Sequence, residues 1–399
     1  MIENNELSDR EGSELLQIRG YILPLDGLRG IAIIMVMIAH FNQESLLKVF
    51  YPILGPILTK CAYIGGWGVT LFFVLSGFLI TGILLEAKGS EGFFKNFYAR
   101  RALRIFPLYY GTLIVLLFLL PLFLPGDEGT RRISTYQWRL WLYMANLPGF
   151  AEWDTSNIYM VGHFWSLAVE EHFYIVWPCL VFFFRRNSLV RICIGAILVA
   201  FAMRMLVAAG ASNWTTITKI DSLAMGCILA ILGRQPQMQE KILLLARRSV
   251  LILGVLLVIL SFLPRVFYPD FFRILKEPIA VSYFTCLLVL SIQKQAGTLG
   301  RIASNSVLRS FGKYSYGLYI IHGVLRPALS SLIPPMWLAS LTPIPLIGLA
   351  AYTVISIGVC LLIAYATWHL YENQFLKLKS RFVTAPRLLA QTQSNPLSV

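Results

Sequence analysis

The chain carries little charge for its length. Only 14% of its 399 residues are Asp, Glu, Lys or Arg, against roughly 25% in a typical soluble domain. Hydrophobic residues make up 57%, and the mean hydropathy is +0.68. This scarcity of charge excludes an ordinary soluble fold and predicts an all-α, polytopic membrane protein. The net charge of +14 lies in short loops between apolar runs, so no soluble basic face is available to bind nucleic acid.

Cysteine is scarce and irregularly placed. None of the six cysteines forms a CxxC pair, and all but Cys61 lie in apolar runs, so we interpret them as small apolar side chains and expect no bound metal. The chain also shows no internal repeat and no low-complexity tract. These absences predict one transmembrane domain over residues 23–376, with cytoplasmic tails at 1–22 and 377–399.

About ten apolar runs approach the ~20 residues that a helix needs to cross a bilayer. They lie at 24–41, 67–86, 104–125, 162–184, 189–209, 215–233, 248–264, 276–293, 313–333 and 344–370. The segment 133–147 is too short and too polar to span, and it predicts an interfacial helix. If the N-terminus is cytoplasmic, about 22 basic residues fall on the inner side and about 8 in outer loops, which predicts that both termini are cytoplasmic. We expect the helices to surround a central cavity.

Arg29 and His40 share one face of the first predicted helix. They are eleven residues apart, which is three turns plus about 20°, or about 16 Å along the axis. Ionisable side chains inside a bilayer are unfavourable and usually mark a functional site. The predicted orientation places Arg29 toward the cytoplasm and His40 toward the outer face. The pair therefore suggests an enzyme that acts across the width of the membrane.

His40 is a candidate general base, because an imidazole exchanges a proton near neutral pH. The alternative is a structural histidine at a helix end. Glu170 and Glu171 favour catalysis, since a carboxylate can hold an imidazole in the tautomer that a base needs. Adjacent helical residues point about 100° apart, so at most one of the two is expected to face His40. We expect the other to pair with Lys219 or Arg204.

A second group of candidate residues is basic. Arg101 and Arg104 are three residues apart and share a helix face on the cytoplasmic side. Their guanidinium groups suit phosphate, although cytoplasmic loops are commonly basic and contact anionic lipid. Both interpretations stay open on these residues alone.

Six stretches, taken together and in order, resemble the acyltransferase 3 family of membrane O-acyltransferases over residues 21–376. The first, LDGLRGIAIIMVMIAHF, resembles the first-helix signature, with Arg29 and His40 at its Arg-x10-His spacing. The others are FFVLSGFLIT, the Arg-x-x-Arg pattern in RRALRIFPLYY, HFWSLAVEEHFYIVWP, KIDSLAMG and KYSYGLYIIH. Two positions depart from the family pattern: His172 stands where glutamine is usual, and the YENQF of Tyr371–Phe375 stands where a Glu-Arg-Pro run is common.

The resemblance implies an acyl-CoA donor, with acetyl-CoA as the expected form, bound from the cytoplasm. It implies a hydroxyl acceptor on an extracytoplasmic glycan, such as lipopolysaccharide, exopolysaccharide or peptidoglycan, and a place in the bacterial inner membrane. No counterpart of the extracytoplasmic hydrolase-like domain of some members is visible, so we expect the membrane domain alone to complete the transfer. The candidate residues are His40, Glu170 and Glu171 for catalysis, Arg29, Ser76, Arg101 and Arg104 for the donor, and Trp165, His172, Tyr174, Lys219, Asp221, Tyr319 and His322 for the acceptor.

Two other functions remain open. The acceptor can be a small secreted molecule, such as an antibiotic of the macrolide type. Alternatively, Arg29, Glu170, Lys219 and Asp221 can line the path of a solute or proton through a transporter, although the inverted repeats common in such proteins are not visible.

Overall fold

A computed structural model describes residues 15–16, 20–123, 133–135, 137–147, 160–207, 215–263, 269–294 and 297–382. These residues form helices and connections, with one isolated backbone bridge between Leu16 and Gln293 and no strand. The predicted tails lie mostly outside the described residues, which include only 15–16, 20–22 and 377–382 of them.

The helices follow one another along the chain as α1 (Leu23–Phe41), α2 (Glu44–Phe50), α3 (Leu54–Ile64), α4 (Gly68–Ala87), α5 (Phe93–Ile114), α6 (Gln137–Trp141), α7 (Trp165–Phe183), α8 (Arg186–Val207), α9 (Thr216–Leu232), α10 (Pro236–Phe262), α11 (Pro269–Ser291), α12 (Thr298–Ala303), α13 (Ser306–Lys313), α14 (Ser315–Leu332), α15 (Pro335–Ser340), α16 (Pro345–Thr367) and α17 (Asn373–Lys377). A π-helical stretch, Val115–Leu119, extends α5, and another, Trp368–Glu372, joins α16 to α17.

The membrane class predicted from composition is confirmed. Within the described ranges, eight helical segments are long and apolar enough to cross a bilayer. The two other predicted spans correspond to α9, which has 17 residues, and α14, which has 18. Both carry ionisable side chains, Lys219 and Asp221 on α9 and His322 and Arg326 on α14, so the number of crossings stays a prediction. Large apolar side chains such as Leu251, 76% exposed, cover the outside of the bundle.

Cross-helix contacts define the two ends of the bundle. At the inner end, Arg234 pairs with Glu86 at 2.7 Å and the Lys88 Nζ atom donates to the Phe184 carbonyl oxygen at 2.7 Å. The first described segment also lies here, since the Lys294 amide donates to the Leu15 carbonyl oxygen. The last described residue, Phe382, lies at the same end, since its carbonyl oxygen accepts from Arg100 at 3.1 Å. The outer end holds α2, α3 and the end of α10. Which end faces the cytoplasm stays a prediction.

Small residues bring α4 and α9 into backbone contact. A β-carbon on Gly77 would lie 2.0 Å from the Leu223 carbonyl oxygen, and one on Gly226 would lie 2.1 Å from that of Val74. No larger residue fits at either position, because such distances are far below van der Waals contact. This close crossing fixes the depth of Ser76, next to Gly77, in the bundle.

Glycines also seat α1 on the inner helices. A β-carbon on Gly30 would lie 1.9 Å from the Leu308 carbonyl oxygen, and one on Gly312 would lie 1.7 Å from that of Asp26. The DGLRG motif thus packs α1 directly on α13, and it sets Arg29 at the inner end of the bundle.

The segment 133–147 is helical at 133–135 and in α6, while Tyr136 lies outside the described residues. Trp138 is 47% exposed, as an interfacial ring would be. Tyr143, however, is buried and stacks on Tyr109 of α5 at 4.2 Å between ring centres. Trp141 stacks on Tyr110 at 5.7 Å, so this segment packs partly on α5.

Candidate active site

Three cavities lie in series along the bundle. The outer cavity, about 630 Å³, includes His40, His163 and Lys219 in its wall. The middle cavity, about 100 Å³, is lined by Arg101, Glu170, Glu171 and other residues.

The inner cavity, about 390 Å³, includes Arg309 and Lys313 in its wall. The outer and middle cavities share Val69, Phe73 and Tyr319, and the middle and inner cavities share Arg29 and Arg104. The three cavities therefore adjoin one another from one end of the bundle to the other.

Three histidines from distant parts of the chain meet at the outer cavity. The ring centre of His322 lies 4.9 Å from that of His40 and 4.6 Å from that of His163. Gly323 makes room for this contact, because a β-carbon there would lie 2.2 Å from the His163 Cε1 atom. The last turn of α1, the 3-10 turn Gly162–Phe164 and α14 thus converge on one point.

Hydrogen bonds fix the tautomers of two of these rings. The His322 Nδ1 atom lies 3.0 Å from the Leu318 carbonyl oxygen, which can only accept, so Nδ1 carries the proton of a neutral ring. The His322 Nε2 atom then accepts from the His40 Nδ1 atom at 2.8 Å. The other nitrogen of His40, its Nε2 atom, is left with a lone pair, which is the form that a general base requires.

The prediction that Glu170 or Glu171 contacts His40 is wrong. Glu170 and Glu171 line the middle cavity instead, and the hydrogen-bond partner of His40 is His322. The reason is depth: Glu170 lies seven residues beyond His163, or about 10 Å further along the helix toward the inner end. The turn that precedes α7, and not its carboxylates, reaches His40.

The carboxylates belong to a polar network in the middle cavity. The Tyr174 hydroxyl donates to Glu170 at 2.9 Å and lies 2.8 Å from the Ser76 hydroxyl. The Arg101 guanidinium lies 5.7 Å from the centre of the Tyr174 ring. The predicted donor-binding residues, Arg29, Ser76, Arg101 and Arg104, all line this cavity.

Lys219 and Arg204, the predicted partners of Glu170 or Glu171, form ion pairs with other acids. Lys219 forms an ion pair with Glu277 of α11, and both line the outer cavity. Asp221 is buried and accepts from Arg204 at 2.7 Å. Asp221 lines none of the three cavities, so its position does not favour the predicted contact with substrate.

The remaining predicted acceptor residues occupy different places. Trp165 lines the outer cavity and packs edge-on against Phe73. The Tyr319 hydroxyl, in the wall between two cavities, lies 2.5 Å from the Ser166 hydroxyl. The His172 Nδ1 atom lies 2.7 Å from the Thr216 hydroxyl, outside the three cavities. His172 therefore links α7 to the start of α9.

The outer cavity also carries charge near its mouth. Hydrogen bonds from Lys48 and Tyr63 hold the pKa of Glu44 below its ordinary value, so this carboxylate is ionised. Lys60, which also lines the cavity, donates to the Phe262 carbonyl oxygen at 3.3 Å. The mouth is therefore polar, as the entry of a hydrated molecule requires.

Sequence reasoning missed two residues of the outer cavity. His163 stands at the start of the HFWSLAVEE stretch, and its Nε2 atom is buried without a hydrogen-bond partner among the described residues. Glu277 is an acidic residue in an apolar run, which the rule on intramembrane charges would have singled out. His322, which His163 contacts, and Lys219, which Glu277 contacts, lie far from them in sequence.

Residues 22–365 match a family model described as an acyltransferase domain, and the chain belongs to this family, the acyltransferase 3 family. It is 28% identical over 348 residues to the peptidoglycan O-acetyltransferase OatA of Listeria monocytogenes, which covers 81% of this chain and 53% of that protein.

A second relative is "Putative peptidoglycan O-acetyltransferase YrhL" of Bacillus subtilis, 26% identical over 76% of this chain and 48% of the relative. A third is "Putative O-acetyltransferase SACOL0978" of Staphylococcus aureus, 27% identical over 76% of this chain and 50% of the relative. The chain spans about half the length of the curated relatives it matches. No solved structure matches it.

Proposed function

We propose that the protein transfers an acyl group from acyl-CoA at the inner end to a hydroxyl group of a glycan at the outer end. The acyl group that we propose is acetyl. Membership of the acyltransferase family supports the reaction type, and the names of the relatives favour acetyl and a glycan. One observation carries the proposal: His40, whose Nε2 atom keeps a lone pair, lines a cavity that shares wall residues with an arginine-lined cavity.

His40 acts as the general base in this mechanism. Its Nε2 atom takes the proton of the acceptor hydroxyl while the hydroxyl oxygen bonds to the thioester carbonyl carbon. The tetrahedral intermediate then collapses, the carbon–sulfur bond breaks, and the proton on His40 passes to the departing CoA thiolate. His322 holds the tautomer throughout, because its Nδ1 atom keeps its proton and donates it in a hydrogen bond to the Leu318 carbonyl oxygen.

The middle cavity binds the donor in this proposal. Arg29, Arg101 and Arg104 face it from α1 and α5, and guanidinium groups bind phosphate oxygens with paired hydrogen bonds. Glu170 and Glu171 keep the cavity from being uniformly positive. The pantetheine arm extends from the phosphates toward the wall formed by Val69, Phe73 and Tyr319, beyond which lies His40.

The acceptor enters from the outer cavity. The Lys219–Glu277 pair, Trp165 and His163 line this space, which offers both hydrogen-bonding groups and a ring on which a sugar can stack. Peptidoglycan is the first acceptor to test, because two relatives carry that name. The host membrane is the bacterial cytoplasmic membrane in this proposal.

Steady-state kinetics of a His40→Ala variant tests the proposal. We expect the rate of acetyl transfer from acetyl-CoA to peptidoglycan fragments in proteoliposomes to fall at least about 100-fold, since general base catalysis contributes 10²–10⁴-fold. His369→Ala, in the π-helical stretch that follows α16, is the matched control and should keep its rate. Turnover of His40→Ala at the wild-type rate would remove His40 from this role.

The acceptor itself is identified by comparing cells with and without the gene. Mass spectrometry of surface glycans should show O-acetyl groups that disappear with the gene. Loss of an acyl group from a small secreted product instead would assign the acceptor to that class.

A further inference from the structure

The inner cavity carries more positive charge than its own residues neutralise. Arg29, Arg104, Arg309 and Lys313 line it, and Asp26 is the carboxylate in its wall. Asp26 already accepts from the Tyr21 hydroxyl at 2.5 Å and lies 3.6 Å from Arg29. At about 390 Å³ the cavity has room for a phosphorylated nucleoside group.

Arg309 and Lys313 project from the same face of α13. They are four residues apart, and like charges at that spacing repel each other on a helix. Among the described residues, neither has a carboxylate within ion-pair distance. The Arg309 Nε atom is buried without a hydrogen-bond partner there, and the Lys313 Nζ atom lies 5.6 Å from the centre of the Trp368 ring. A bound anion would relieve this repulsion.

The backbone of α13 packs directly on that of α1 at this position. Gly30 of α1 lies against the Leu308 carbonyl oxygen, and Gly312 lies against that of Asp26, so the two helices touch without intervening side chains. Arg309 and Lys313 are therefore held beside the inner mouth of the middle cavity. Such a fixed pair of cations is typical of a binding site and not of a flexible basic loop.

The arginines of the middle cavity and the Arg309–Lys313 pair of the inner cavity form two basic groups in series, and coenzyme A has two phosphorylated positions that match them. Its diphosphate carries the pantetheine arm, and its ribose carries a separate 3′-phosphate. Because the arm extends toward His40, the diphosphate must lie deeper than the 3′-phosphate. We propose that Arg309 and Lys313 bind the 3′-phosphate of the donor, so that the enzyme distinguishes acyl-CoA from acyl-dephospho-CoA. This inference rests on the proposed use of acyl-CoA.

Kinetics with paired donors test the site. In proteoliposomes of phosphatidylcholine, we expect wild-type kcat/KM to be at least about tenfold higher for acetyl-CoA than for acetyl-dephospho-CoA, since hydrogen bonds between charged groups are the strong ones. Arg309→Gln and Lys313→Gln should lower kcat/KM for acetyl-CoA and leave that for acetyl-dephospho-CoA unchanged. Arg301→Gln, an exposed neighbour on α12, is the control and should keep the preference.

A binding measurement covers variants with low activity. Purified wild-type protein should bind adenosine 3′,5′-bisphosphate at least about tenfold more tightly than AMP, and Arg309→Gln should remove the difference. Equal use of the two donors by the wild type, or an equal loss with both in the variants, would overturn the site while leaving acyl-CoA as the donor. An effect seen only when phosphatidic acid is added would assign the cations to a lipid phosphate and overturn the site as well. A wild type that uses neither donor and binds neither nucleotide would overturn the proposed function itself.

Discussion

Two groups of buried charges in this bundle are treated in opposite ways. Around α9, each charge has a partner: Arg204 binds Asp221, and Lys219 binds Glu277. Along the cavities, Arg101 and Arg104 have no ion pair among the described residues, and they face open space. A membrane interior penalises uncompensated charge. A pair that lines none of the three cavities, such as Arg204–Asp221, therefore serves the fold, whereas a cation without an ion pair in a cavity wall indicates a binding site for an anionic ligand.

The largest effect is expected where a paired charge loses its partner. Asp221→Ala leaves the Arg204 guanidinium buried and uncompensated, and it should lower the free energy of unfolding by about 3–5 kcal/mol. Thermal unfolding in detergent micelles measures this effect. Glu91→Ala, an exposed acid at the inner end, is the control and should change stability by no more than about 0.5 kcal/mol. Wild-type stability of Asp221→Ala would contradict the structural role of this pair.

His322 provides the next largest effect, and this one concerns the chemistry. His322→Ala removes the acceptor that holds the His40 Nδ1 proton, so kcat should fall at least about tenfold while KM for acetyl-CoA stays unchanged. His322→Gln should recover part of this loss, because its side-chain oxygen can accept the same hydrogen bond. Identical kcat values for the two variants would argue against a positioning role.

A variant of Arg101 tests directly whether the cavity-lining arginines without an ion pair bind the donor. Arg101→Ala should raise KM for acetyl-CoA about tenfold and change kcat by less than about threefold, with stability unaffected. Its sequence neighbour is the matched control: the Arg100 guanidinium donates to the Phe382 carbonyl oxygen at 3.1 Å, outside the three cavities. Arg100→Ala should therefore keep the wild-type KM. Equal KM values for both variants would remove Arg101 from donor binding.

The smallest effect is expected at His172. Its ring contacts Thr216 and lines none of the three cavities, so His172→Gln, which restores the residue usual in the family, should change kcat and KM by less than about twofold. Measured with several acceptors, this variant also tests the sequence-based expectation. A changed acceptor preference would return His172 to the substrate site.

The sequence predicts the membrane class, the family and the common face of Arg29 and His40, because these depend on composition, ordered motifs and the helical repeat. It does not predict the depth at which α7 meets α1. A helical repeat gives the direction of Glu170 around its own axis, but its height relative to His40 depends on the turn before α7. Sequence reasoning does not identify His163 and Glu277 as site residues for a related reason, since their partners lie on helices more than fifty residues away in sequence.

Sidedness of the reaction tests the central claim most directly. Vesicles with the inner end of the protein facing outward, and peptidoglycan fragments trapped inside, are supplied with membrane-impermeant radiolabelled acetyl-CoA from outside. The three cavities in series predict acetyl ester on the trapped acceptor and its loss in His40→Ala. Transfer that requires donor and acceptor on the same side of the membrane would contradict a reaction that passes through the bundle.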